Sequence, residues 1–183
     1  MVLERAGVTF EIADSGVDED ALKTPMLQRG AGPLAVAEAL AQEKALAVSR
    51  TRPGLVIGAD QTLDLDGALY DKAPDIPSAR ARLQALRGKP HRLHAAVVVA
   101  KEGRIRWRDL QSATLVMRNF SDVFLDAYLA QEGEAVLGSV GCYRLEGLGA
   151  QLFEKVEGDY FAILGLPLWG LLEVLRTEQL LSA

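Results

Sequence analysis

Asp60 closes an apolar run, Leu55-Val56-Ile57-Gly58-Ala59, that reads as a buried strand. A carboxylate at the carboxyl edge of a sheet stands where open α/β folds bind ligands. It can hold a divalent cation through oxygen or take a proton from water. The same aspartate could equally cap a loop. Lys72 lies in Asp71-Lys72-Ala73-Pro74, where a proline-stiffened loop either brings an ammonium to a phosphate or leaves it in solvent. Lys44 follows Leu40 by four residues and so shares a helix face with it. A charge there snorkels or reaches into a site. From Gly138 to Gly149 the chain has four glycines, which permit close approach of a ligand and left-handed turns. The stretch lacks the Gly-Lys-Ser/Thr ending of a phosphate loop and the third glycine of a dinucleotide fingerprint. Ser139 is not in a Gly-x-Ser-x-Gly elbow. Glu146 is the notable polar group between those glycines, and a plain turn-rich connection is the alternative. His91 and His94 are expected to share one face of an extended chain and, without a third ligand, read as structural. Cys142, with no basic neighbour in sequence, reads as buried and inert.

These groups need elements to hold them. Leu3 to Arg5 reads as the end of a helix stopped by Gly7, and Val8 to Ile12 alternates as a short strand. Asp14 to Asp20 reads as an acidic loop. Pro33 to Arg50 is expected to be a helix, with proline in its first turn and alanine, leucine and glutamate after it. Asp66-Gly67 signals a hairpin. Pro77 to Arg87 predicts a second helix closed by Gly88, and Leu93–Ala100 and Ile105–Met117 predict strands joined at Glu102-Gly103. Ser121 caps a third helix, Gln151–Val156 is a strand, and Pro167 opens a last helix reaching about Gln179. Helices alternating with strands and hairpins predict an α/β fold with a mixed sheet.

The 183 residues fit one domain, with 49% hydrophobic and 25% charged side chains, the balance of an ordinary globular protein. A formal charge of −5 and the lack of a Lys/Arg run argue against a nucleic-acid polymer as partner. The apolar runs are too short for a bilayer, and the amino terminus lacks the regions of a signal peptide, so a cytoplasmic protein is expected. One cysteine and two histidines leave no internal disulfide and little for zinc.

Several segments, in order along the chain, resemble the Maf family of nucleoside triphosphate pyrophosphatases, once named septum-formation inhibitors. Glu4 to Phe10 is similar to the segment after that family's first motif, and Val17-Asp18-Glu19 to its Val-Asp-Glu. Leu40-Ala41-Gln42-Glu43-Lys44-Ala45 resembles the helix with the site lysine. Gly58-Ala59-Asp60-Gln61 resembles the aspartate motif, and Asp71-Lys72 the second lysine. The most specific stretch runs from Glu146-Gly147-Leu148-Gly149 through Glu157-Gly158-Asp159-Tyr160 to Gly165-Leu166-Pro167-Leu168.

The resemblance implies a Maf/inosine-triphosphatase-like sheet flanked by helices with a central cleft, a cytoplasmic location and, in many members, a homodimer. It implies hydrolysis of a nucleoside triphosphate to the monophosphate and pyrophosphate with Mg²⁺ or Mn²⁺. Asp60 would be catalytic, Glu19, Lys44, Gln61, Lys72 and Glu146 would bind substrate, and Asp60 and Glu19 would hold the metal. Gln61 after Asp60 and Glu146 before Gly147 look like the branch acting on 7-methyl-GTP, with dTTP and UTP next; a related house-cleaning pyrophosphatase for deaminated purines has weaker motif support. Maf proteins begin with a strand leading into Ser-x-Ser-x-Arg-Arg, which binds the triphosphate. Residues 1–183 read as a Maf-like domain lacking that strand and loop. On that reading the chain as given is expected to be unstable or inactive, or to act as a non-catalytic nucleotide-binding or cell-division regulatory protein.

Overall fold

The computed structural model describes residues 2–182. The chain runs α1 (Val2–Arg5), α2 (Glu19–Gln28), α3 (Pro33–Ser49), β1 (Val56–Leu65), β2 (Ala68–Tyr70), α4 (Ile76–Leu86), β3 (Pro90–Lys101), β4 (Arg104–Met117), α5 (Asp122–Glu132), β5 (Phe153–Glu157), α6 (Tyr160–Ile163) and α7 (Leu168–Thr177). Short 3₁₀ turns cover Gly133–Gly138 and Leu148–Leu152.

The five strands lie in the order β2-β1-β3-β4-β5, and helices flank the sheet in an α/β fold. Every neighbouring pair is antiparallel, where a mixed sheet was expected. The reason is strand order. The sequence β2–α4–β3 is a strand–helix–strand crossover that returns β3 in the direction of β2, but β1 is inserted between them. Both hairpins use two-residue turns with positive φ: Asp66 and Gly67 at 55° and 84°, Glu102 and Gly103 at 54° and 70°.

From Leu93 to Ala100 every residue of β3 is buried, because both faces of the sheet are covered there. Ala96, Val98 and Ala100 meet Ala37, Ala41 and Ala45 of α3. On the other face, Val97 and Val99 pack with Leu168, Leu171 and Leu175 of α7, while Leu93 joins Leu83, Leu115, Met117, Phe120 and Leu125 over α4 and α5. Side-chain caps fix where helices begin. Asp18 accepts from Ala21 N at 3.0 Å, Asp75 from Ser78 N at 2.8 Å, and Ser121 from Phe124 N at 3.2 Å.

Three local expectations are corrected. Val8 to Ile12 forms no strand: alternation alone places no partner beside it. The acidic stretch ends in a helix rather than a loop, since Asp18 caps α2 and Glu19 and Asp20 suit its amino-terminal dipole. His91 and His94 differ by an odd number and point to opposite faces. His91 Nε2 meets the Tyr143 hydroxyl at 2.7 Å, whereas His94 lies between Ser112 Oγ at 2.7 Å and Asp64 Oδ2 at 3.2 Å. No helix among the described residues is long and apolar enough to cross a membrane.

Candidate functional site

Asp60 is the fifth of the ten residues of β1, not its end; pairing with β3 carries the strand on to Leu65. Alternation puts Gly58, Asp60 and Thr62 on the face under α3. Thr62 Oγ1 donates to Pro33 O at 3.0 Å, tying the strand to the start of that helix. Gly58 lets the helix settle closely: a Cβ there would lie 2.4 Å from Ala41 O and 2.6 Å from Ala45 N. This contact brings Lys44 over the strand, so the lysine reaches in rather than snorkelling outward.

Lys44 Nζ donates to Asp60 Oδ1 at 2.6 Å and to Glu19 Oε1 at 2.7 Å. The Asp60 side chain is 12% exposed and that of Glu19 is 45% exposed, so the cluster grades from the sheet interior to solvent. Burial raises the Asp60 carboxyl above its ordinary value; Lys44 opposes the shift and the Glu19 charge adds to it. Burial also works against the Lys44 ammonium, but its hydrogen bonds to Asp60 and Glu19 outweigh this and hold its pKa above the usual lysine value. The outcome is an ammonium gripped by two carboxylates, one of them unusually easy to protonate.

A cleft of about 500 Å³ opens beside this cluster. Lys44, Asp60 and Lys72 line one part of it, and Tyr143, Arg144 and Glu146 line another. The glycine-rich loop forms that second wall, and its conformation is held from within. Ser139 Oγ accepts from Tyr143 N at 3.1 Å and donates to Tyr143 O at 2.9 Å. Gly149 packs so closely that a Cβ would stand 2.4 Å from Arg144 O. Tyr143 is anchored behind by His91, whose pKa burial lowers to about 4 and whose Nδ1 is buried without a hydrogen-bond partner among the described residues. Cys142 is buried, its thiol pushed up by burial, in keeping with an inert group.

The sequence-predicted residues therefore divide. Asp60, Lys44 and Glu19 touch, while Lys72, Gln61 and Glu146 line the same cleft without bonding to them. Gln61 Nε2 already donates to Ala162 O and Ile163 O, at 2.8 and 3.0 Å, so its amide nitrogen fastens α6 to the cleft floor. Glu146 Oε1 lies 3.7 Å from Arg144 Nε. Sequence reasoning missed Arg144, Lys23 and Arg82. Arg144 stands two residues before Glu146 in the glycine stretch. Lys23 follows Glu19 by four, a spacing that carries meaning only once a helix at 19–28 is recognised.

A five-stranded sheet thus carries a half-buried lysine–carboxylate cluster on a polar cleft whose lining also includes a glycine-rich loop with a carboxylate, in an α/β fold. The chain belongs to the family described as Maf-like protein, whose profile matches residues 1–178. It is 58% identical over 182 residues to a nucleoside triphosphate pyrophosphatase of Caulobacter vibrioides, covering 100% of this chain and 92% of the relative. A nucleoside triphosphate pyrophosphatase of Granulibacter bethesdensis is 53% identical, covering 99% and 92%. A 7-methyl-GTP pyrophosphatase of Brucella abortus is 45% identical over 179 residues, covering 97% and 90%.

Proposed function

We propose that this protein is a nucleoside triphosphate pyrophosphatase, a hydrolase that splits the α–β anhydride to give a nucleoside monophosphate and pyrophosphate, with a 7-methyl-GTP-type nucleotide favoured and dTTP or UTP next. The observation that carries the reading is Lys44 held between Asp60 and Glu19 in a cleft that also receives Lys72. Similarity to relatives named for nucleoside triphosphates and for 7-methyl-GTP supports it.

The protein's net charge of −5 repels a triphosphate, so local cations must do the binding. Lys44 and Lys72 take phosphate oxygens. Asp60, raised above the usual carboxylate range by burial, accepts a proton from the water that attacks the α-phosphorus. The P–O bond to the β-phosphate breaks and the electron pair leaves with pyrophosphate. At the other part of the cleft, Glu146 accepts hydrogen bonds from the ring N–H and amino group of a guanine-type base, and a cationic methylated base strengthens that pairing.

Among the described residues no group of three or more His, Cys, Asp or Glu is placed to hold a metal by itself. Asp60 and Glu19 nevertheless bring hard oxygens together, 2.6 and 2.7 Å from the Lys44 ammonium, and Mg²⁺ commonly takes one or two carboxylates plus substrate phosphates. The carboxylate oxygens suit Mg²⁺ or Mn²⁺ in that shared mode, which Asp60 and Glu19 would hold together with substrate phosphates, and the ion would supply charge stabilisation for the leaving pyrophosphate. The test is Asp60→Asn in a folded protein, assayed for pyrophosphate release from 7-methyl-GTP, dTTP and UTP. Turnover by the wild type and its loss in the variant are expected, and retained turnover in Asp60→Asn overturns the assignment.

A further inference from the structure

Lys23 is the one lysine, arginine, aspartate or glutamate that is buried among the described residues, at 8% exposure. A buried ammonium is costly unless its surroundings hold it. Here Nζ is 2.8 Å from Asp71 Oδ1 and 3.0 Å from Asp20 Oδ1. Burial works against the charge, and the two carboxylates outweigh it. Asp71 is the residue before Lys72, and it is held a second time. Arg82 Nη1 of α4 donates to its backbone carbonyl. The same nitrogen donates to Val140 O at 2.8 Å, in the glycine-rich wall. The Arg82 guanidinium also stands 5.1 Å over the ring of Tyr70, the residue before Asp71.

Lys23 and Glu19 are one helical turn apart on α2, so a single helix supplies both a carboxylate to Lys44 and an ammonium to Asp71. Lys72 itself makes no ion pair with a described residue, and nothing in its own side chain fixes its direction. Its place on the cleft depends on the backbone that bears it. We propose that Lys23 and Arg82 are positioning residues: together they clamp Asp71 by its side chain and its carbonyl, hold Lys72 in the cleft, and lock that loop to the glycine-rich wall. This rests on the reading of Lys72 as a phosphate ligand.

The experiment measures binding of inorganic tripolyphosphate by calorimetry, and KM and kcat for pyrophosphate release, in Lys23→Met, Lys72→Ala and the double variant. Lys23→Met is expected to weaken tripolyphosphate binding and raise KM by about fivefold or more, with kcat within about twofold, and Lys23→Arg to restore both. In the Lys72→Ala background the same substitution is expected to change binding by less than about twofold, because the clamp acts only through Lys72. An equal loss in both backgrounds would mean a general field effect and overturns the proposal, as does unchanged binding in Lys23→Met. Arg82→Met repeats the test from the carbonyl side. Should Lys23→Met fail to fold, Asp71→Asn at an exposed position removes the same ion pair. A wild type that binds tripolyphosphate yet releases no pyrophosphate defeats the proposed function while the binding arms still judge the clamp. A wild type that binds none defeats both.

Discussion

Replacing Gly58 by alanine tests whether the α3–β1 contact builds the site. The added Cβ would stand 2.4 Å from Ala41 O, 2.6 Å from Ala45 N and 2.9 Å from Ala45 Cβ, whereas ordinary contact begins at 3.4 Å. Relief needs the helix to retreat by about 1 Å, since two of the three atoms are backbone and cannot rotate away. Lys44 rides on that helix and Asp60 lies two residues from Gly58, so their 2.6 Å bond lengthens with the retreat. Overpacking of this kind costs about 1–3 kcal/mol, or a melting temperature lower by about 3–10 °C at this chain length. A displacement near 1 Å at reacting groups costs about 100-fold in rate. The assay is thermal melting by circular dichroism alongside kcat/KM for pyrophosphate release. Adding Ala45→Gly removes one of the three clashing atoms and is expected not to rescue. Wild-type melting and kcat/KM in Gly58→Ala, or full recovery in the double variant, would refute the reasoning.

Three further outcomes are expected. His91 takes up a proton near pH 4 when folded but near 6.5 when unfolded, so the unfolded state binds more protons between those values and stability falls as pH drops through them. Urea unfolding at pH 7 and pH 5 should show about 2 kcal/mol of that loss in the wild type that is missing from His91→Phe; equal losses in the two proteins would remove His91 from the account. Glu146→Gln should lower kcat/KM for 7-methyl-GTP relative to dTTP by about 10- to 100-fold through loss of a charge-assisted bond, and an unchanged ratio would place base recognition elsewhere. Chelation should stop pyrophosphate release and added Mg²⁺ or Mn²⁺ restore it; turnover that survives exhaustive chelation argues against Asp60 and Glu19 as metal ligands.

Much of the scaffold was legible because its signals are local. Pro33, Ser121, Asp66-Gly67 and Glu102-Gly103 mark starts and turns through their own backbone preferences. Strand order was not, since the insertion of β1 between β2 and β3 depends on pairing over long separations. The same divide runs through the site. Asp60 stands at the end of an apolar run, yet the strand continues to Leu65 because pairing with β3 and β2 carries it on, with Thr62 tied to the start of α3 and Leu63 and Leu65 entering the core. Lys23 carries a signal only through its spacing from Glu19, and only once the helix is recognised. Pro25 within the same stretch obscured the helix, and the partner that explains Lys23 lies 48 residues away.

The alanine surface of α3 has an entropic side. Alanine loses no rotamer freedom on burial, so seating Ala37, Ala41 and Ala45 against β3 fixes Lys44 over Asp60 without freezing any side chain to do so. That face also removes little apolar area from water. The larger hydrophobic contribution falls to the opposite face, where Leu83, Leu115, Met117, Phe120 and Leu125 are buried. The two sides of the sheet thus divide their work: bulky residues hold the chain together, and the smallest ones set the distance between Lys44 and Asp60.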